Sequence, residues 1–196
     1  MRRIGLFGGS FDPVHNAHLA LARSALRELA LDEVRWIPAG QPWQKTRSLT
    51  DAAHREAMVA LALEGEPRFV LDPIELQRAG PSYMLDTVRA LQIAQPAAQW
   101  FLLLGQDQHA GLSTWHGANE LVKLVTLAVA ARPGTLAAPQ GAHDRTLPGA
   151  TLRPVPLPPM DMSSTEVRKR CAAGQPIGHL VPENVASYIE EHGLYR

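Results

Sequence analysis

A short apolar run, Ile4-Gly5-Leu6-Phe7, leads directly into Gly8-Gly9-Ser10-Phe11-Asp12-Pro13-Val14-His15-Asn16-Ala17-His18, and a stretch of helical period follows. Strand, glycine-rich turn and helix in that order make a pocket for a phosphate chain near the start of an α/β protein. Gly8 and Gly9 suggest a tight turn that a ligand can approach closely. The helix beyond offers unpaired N–H groups and the positive end of its dipole. His15 and His18, three residues apart, project from nearly one face, and both can donate to phosphate oxygens. A bare His-x-x-His is weak on its own, since two histidines at a helix start also serve as one solvated and one capping side chain. The surrounding order of residues favours an enzyme acting on a nucleoside triphosphate.

The rest of the chain fits that reading. At 196 residues it is long enough to bury a core without staples. Nineteen Lys and Arg balance nineteen Asp and Glu, so no polybasic footprint argues for nucleic acid. Cys171 is the only cysteine, which excludes an internal disulfide and suits a reducing cytoplasm; a small, partly buried helix residue is its expected role. Neither a signal-peptide core nor an apolar run long enough to span a bilayer is visible, and a cytoplasmic protein with no membrane partner is expected.

Hydrophobic periodicity predicts alternating strands and helices. Strands are expected at Arg3–Phe7, Val34–Pro38, Phe69–Leu71, Trp100–Leu104 and Leu124–Ala130. Leu19, Ala22, Leu26 and Leu29 mark one helix. Thr50 is the expected cap of a second, running to about Glu64 with Ala53, Ala57, Leu61 and Ala62 inward, and Ser82 that of a third, running to Leu91. The pattern implies a Rossmann-like, doubly wound, mostly parallel sheet with helices on both faces, as one domain over residues 1–196. Residues 133–150, rich in Pro, Gly and Ala, read as an exposed connection. Ligands of such sheets bind beyond the carboxyl ends of the strands, where the segments after Phe7, Pro38 and Leu104 fall.

A second cluster lies far along the chain. Ser163-Ser164-Thr165-Glu166-Val167-Arg168 begins with a Ser-x-x-Glu capping box, so a helix starts there. Consecutive hydroxyls with Arg168 one turn on place donors and a guanidinium at a positive helix end, which suits triphosphate oxygens. Lys169 and Arg170 extend the charge, equally well on a solvated face. Gly105 ends the strongest central strand, Asp107 can accept from ribose hydroxyls, and Trp115 offers a flat face on which a ring can stack. Arg55 reads as a solvated helix residue.

These motifs resemble those of the nucleotidyltransferase superfamily that works through a T/H-x-G-H element. Within it the chain is similar, over nearly its whole length, to the bacterial nicotinate-nucleotide adenylyltransferases. Ala17 stands where that family usually has glycine. The resemblance implies adenylyl transfer from ATP to nicotinic acid mononucleotide, giving deamido-NAD and pyrophosphate. It implies His18 and His15 as the catalytic pair and Gly8, Gly9, Ser10 and Phe11 as the turn at the phosphates. Ser163, Ser164, Thr165 and Arg168 match the family's Ser-Ser/Thr-x-x-Arg element. Lys45 matches the lysine of a phosphate-contacting loop, with Trp43 and Gln44 replacing its Pro-His. Arg132, before Pro133-Gly134, matches an Arg-Pro-Gly near the adenine. Gly105 and Asp107 match Gly-x-Asp, and Trp115 the aromatic that packs on the nicotinate ring. Ser82, Tyr83 and Met84 fall on a Ser-Tyr-Thr-x-Asp-Thr element lining the mononucleotide pocket, Met84 in place of its threonine. Mg²⁺ is expected to arrive on ATP, with no dedicated protein metal site.

Other readings remain open at this point. A different acceptor, nicotinamide mononucleotide or phosphopantetheine, would use the same chemistry; the phosphopantetheine enzymes are shorter and lack the Gly-x-Asp…Trp and Ser-Tyr-x-x-Asp-Thr elements. A nucleotide-sensing module that binds without turnover is the alternative from another class. Oligomeric state leaves no mark in the sequence.

Overall fold

A computed structural model describes residues 1–41, 48–131 and 147–196. Six strands form one sheet: β1 (Arg3–Gly9), β2 (Glu33–Pro38), β3 (Phe69–Leu71), β4 (Gln99–Leu104), β5 (Thr126–Ala131) and β6 (Thr151–Pro156). Their order is β3-β2-β1-β4-β5-β6, and every neighbouring pair is parallel. The chain winds outward from β1 in one direction as far as β3, then returns to β1's other side with β4. The carboxyl ends of β1 and β4 therefore flank the switch point at which such sheets bind ligands.

Among the described residues, seven α-helices flank the sheet: α1 (Asn16–Glu28), α2 (Ala52–Ala62), α3 (Met84–Ala94), α4 (Gln106–Ala110), α5 (Ala118–Leu124), α6 (Ser164–Ala172) and α7 (Glu183–Glu191). Parallel strands buried on both faces read as apolar runs, and here their side chains feed two cores. Phe7, Trp36, Phe101 and Ala128 meet Leu19, Ala22, Met58, Val167 and Val185 on one face. Ile4, Leu6, Leu102, Leu104 and Leu127 meet Leu85, Val88 and Leu121 on the other.

Several local expectations are corrected. Gly8 and Gly9 continue β1, in register with Ile37 and Pro38, and do not form the turn. The left-handed conformation falls on Phe11 (φ 45°), held among the rings of Phe7, His18 and Trp36. A Cβ at Gly8 would run into Met84 Cε, the mobile end of a side chain packed on it. Helix α2 is capped by Asp51, whose carboxylate accepts the Ala53 N–H at 3.0 Å, and its inward face is Arg55, Met58, Val59 and Ala62. The cap residue of α3 is Tyr83, one later than expected. Leu124 closes α5 and does not open the strand β5. In the connection before β6, Leu147 and Ala150 are buried, because they pack into the second core.

Candidate active site

The first strand delivers the turn Ser10–Pro13 to the switch point, and α1 leaves it with His15 as its cap residue. The rings of His15 and His18 stack with centroids 3.6 Å apart at 23°. The backbone N–H of His15 donates to His18 Nδ1 at 3.1 Å. That bond assigns the proton of a neutral His18 to Nε2, leaving Nε2–H as its donor. Burial pushes the His15 imidazole down to about 4. Burial, and secondarily the neighbouring His15, holds His18 well below its ordinary value too. Two stacked rings cannot both be charged cheaply, so the pair is neutral at pH 7 in the absence of an anion. His15 Nδ1 is buried with no hydrogen-bond partner among the described residues, an orphan of the kind that marks a group facing a ligand or water.

Helix α6 brings the second cluster to the same place. Ser163 caps it, its Oγ accepting the Glu166 N–H at 3.1 Å. The Glu166 carboxylate pairs with Arg170 Nε at 2.8 Å. Ser164 Oγ donates to the Pro13 carbonyl at 2.8 Å, and an Arg168 terminal nitrogen donates to the Asp12 carbonyl at 2.7 Å. The other terminal nitrogen of Arg168 reaches Thr165 Oγ1 at 3.2 Å. These ties join the start of α6 to the turn before α1, so two positive helix ends converge. The first N–H of α1 is not free, however: Asn16 N donates to Leu180 O at 2.8 Å.

Two adjoining clefts, each of about 530 Å³, open here and share Phe7, His15, His18, Asp107, Gln108 and Ser163 in their walls. One continues along Gly8, Gly9, Ser10 and Phe11 to Ser164, Thr165 and Arg168. The other passes Ala17, Gly105, Ala130 and Ala131 to the segment Leu157–Met162. The first is lined by hydroxyls, the two imidazoles and the Arg168 guanidinium, the second largely by apolar side chains. A polyanion joined to a flat, mostly apolar ring system matches that division. Asp107, in the first turn of α4, is exposed at their junction. A Cβ on Gly105 would have only Gln108 Oε1 within 4 Å, at 3.9 Å, so the strand end is open to a ligand.

The residues assigned to the mononucleotide gather across Gly8, on the side of α3. Met84 packs against Gly8. Tyr83 stacks on His116 at 4.2 Å, which places it beside Trp115, half-buried against the second core. Ser82 is buried, and its Oγ accepts the N–H groups of Gly40 at 3.0 Å and Gln41 at 3.1 Å. Its hydroxyl thus braces the loop after β2. Lys45 and Arg132 lie outside the described residues.

Sequence reading missed two buried charges behind the turn. Arg55 is buried, not solvated: its guanidinium donates to Thr50 O and Ser10 O, both at 2.9 Å, and to Gly40 O at 3.5 Å. Asp12 is fully buried, and its Oδ1 accepts the Tyr195 hydroxyl at 2.7 Å. The spacing 55, 58, 59, 62 is itself a helical stripe and would have exposed Arg55 as inward. Nothing local marks Asp12, since the hydroxyl on its Oδ1 comes from 183 positions away.

Comparison with known proteins agrees with this layout. Residues 6–170 match the cytidylyltransferase-like family. The chain is 50% identical to a probable nicotinate-nucleotide adenylyltransferase of Methylibium petroleiphilum, over 99% of this chain and 92% of that one. It is also 50% identical to one of Bordetella petrii, over the whole of both. A Plasmodium falciparum nicotinic acid mononucleotide adenylyltransferase, solved with NaAD, shares the fold with a TM-score of 0.80 at 20% identity, covering 100% of this chain and 98% of that one. The chain belongs to the cytidylyltransferase-like family and, within it, to the nicotinate-nucleotide adenylyltransferases.

Proposed function

We propose that the chain transfers the adenylyl group of ATP to nicotinic acid mononucleotide, forming nicotinic acid adenine dinucleotide and releasing pyrophosphate. The observation that carries this reading is the shared cleft: the histidine pair and the Ser163–Arg168 cluster, distant in sequence, line one wall system at the sheet's switch point. Its relatives' names supply the acceptor.

The acceptor's phosphate oxygen attacks the α-phosphorus of ATP, the bond to the bridging oxygen breaks, and pyrophosphate leaves. The attacking group is already an anion, so no protein nucleophile is needed. Holding both reactants in line contributes about 7–11 kcal/mol, and each well-aimed donor about 2.7–4 kcal/mol. His18 Nε2–H serves the α-phosphoryl oxygens as charge builds there, and His15 positions the triphosphate. Ser163, Ser164, Thr165 and Arg168 hold the departing pyrophosphate, with Ser10 and Lys45 as further donors. Adenosine occupies the apolar cleft along Ala130 and Leu157–Met162, with Asp107 on a ribose hydroxyl and Arg132 near the base. The acceptor's pyridine ring stacks against Trp115, beside Tyr83 and Met84. Donors facing the phosphates are hydroxyls, N–H groups and a guanidinium, which suit phosphate oxygens directly. Mg²⁺ accordingly travels with ATP and screens its charge.

Pyrophosphate release by the purified protein, given ATP with nicotinic acid mononucleotide or with nicotinamide mononucleotide, tests the proposal. Turnover with the acid at least tenfold above the amide is expected. ATP binding without pyrophosphate from any acceptor would leave a nucleotide sensor as the better account.

A further inference from the structure

The turn Ser10–Pro13 carries no regular hydrogen-bond ladder, yet its carbonyls are tied down one by one. Arg55 holds Ser10 O, Arg168 holds Asp12 O and Ser164 holds Pro13 O. The Asp12 side chain is in turn gripped by Tyr195, in the segment after α7, whose hydroxyl donates to Oδ1 at 2.7 Å; Oδ2 lies 3.5 Å from the Thr50 N–H. Tyr195 sits in the left-handed region (φ 66°), where a residue with a side chain is strained and persists only if its surroundings dictate it. Burial, and then the Asp12 carboxylate, push the phenol well above its ordinary pKa, so it keeps its proton and stays the donor. Tyr195 does not line the phosphate cleft; the residue of the turn that its hydroxyl reaches is Asp12.

We propose that Tyr195 is a positioning residue for the triphosphate: by fixing Asp12 it sets the carbonyl against which the Arg168 guanidinium is braced. The chain of contacts is continuous. Tyr195 Oη meets Asp12 Oδ1, Asp12 O meets one Arg168 terminal nitrogen, the other meets Thr165 Oγ1, and Arg168 and Thr165 line the cleft. Without the phenol, a fully buried carboxylate loses a close donor and the Asp12 backbone is less firmly fixed. A shift of a few tenths of an ångström at Asp12 O passes directly to the guanidinium. The inference rests on the triphosphate reading of this cleft.

Steady-state kinetics of Tyr195→Phe in both substrates provide the test, with Tyr188→Phe as the comparison. Tyr188, on α7, loses a hydroxyl bonded to His54 Nδ1 at 2.9 Å, a similar loss in a neighbouring element away from the turn. Tyr195→Phe is expected to raise KM for ATP about tenfold, with KM for the mononucleotide within twofold; Tyr188→Phe should move neither. In an Arg168→Ala background, Tyr195→Phe should add less than twofold, because the link it acts through is gone. Calorimetric affinity for ATP alone, on the same variants, is independent of which acceptor is used and survives a failure of the acceptor assignment. Thermal midpoints of all variants are read alongside. If Tyr195→Phe lowers the midpoint while ATP affinity is unchanged, if it raises both KM values equally, or if Tyr188→Phe matches it, the proposal fails.

Discussion

At the scale of single residues the site is governed by two imidazoles that the fold keeps neutral. A neutral pair offers donors to an anion without repelling itself, and the arrival of negative charge favours its protonation. His18→Ala should lower turnover by about 10²-fold or more while ATP affinity falls much less, because its donor is aimed at charge that grows in the transition state. Equal losses in turnover and affinity, by pre-steady-state kinetics and calorimetry, would place His18 in ground-state binding only. The depressed pKa of His15 has a second consequence, and its sign is definite. The folded form takes up a proton only near pH 4, the unfolded chain near 6.5. Stability from the neutral ring is therefore complete above about 6.5 and is lost as the pH falls towards 4. Urea unfolding of the ligand-free protein between pH 7.5 and 4.5 should show that loss, and His15→Gln should reduce it while the part due to His18 remains. The two histidines were legible in the sequence because the turn and helix around them are contiguous. The roles of Gly8 and Phe11 were not, since what decides them is Met84 and Trp36, which come from other elements.

At the scale of elements, the buried guanidinium of Arg55 joins α2 to the turn after β1 and to the loop after β2. Arg55→Met keeps the volume but strands carbonyl oxygens at Ser10, Thr50 and Gly40, and a loss of about 3 kcal/mol or more is expected in denaturant unfolding. Gly40 makes a different kind of joint: a Cβ there would meet the Glu75 carbonyl oxygen at 2.4 Å, backbone that has no rotamer with which to yield. Gly40→Ala should cost about 1–3 kcal/mol by the same measurement. Gly8→Ala should cost less, because the Met84 terminus can swing aside. Element types followed from periodicity, and their inward faces less well. Alanines at 53 and 57 suggested one stripe for α2, while Met58 and Val59, with more surface to bury, chose another. Ser82 was placed at the acceptor by its match to the family's Ser-Tyr-Thr-x-Asp-Thr element; that its Oγ also accepts two backbone N–H groups of the loop after β2 is a contact between elements that no local pattern shows.

At the scale of the whole molecule, the two clefts gather residues from the first strand, the start of α1, the middle of the chain and the start of α6. Binding there should stabilise the fold as a unit. ATP at one hundred times its dissociation constant should add about 2.7 kcal/mol, or ~5–10 °C in the thermal midpoint, in a single transition. Two transitions, only one of them shifted by ATP, would show that the two flanks of the sheet melt separately. The doubly wound order was readable from the alternation of elements, whereas the meeting of Tyr195 with Asp12 was not, because no local pattern encodes a contact closed by the whole topology. The position of β1 at the centre of the sheet also bears on how the protein is made. Its partner on one side, β4, begins at Gln99, and the tie from Tyr195 comes later still. On the ribosome, the first strand emerges early and waits with one edge bare until about half the polypeptide has been synthesised. Nascent chains must therefore pass through an interval in which the bare edge of β1 is open to chaperones and to other nascent chains.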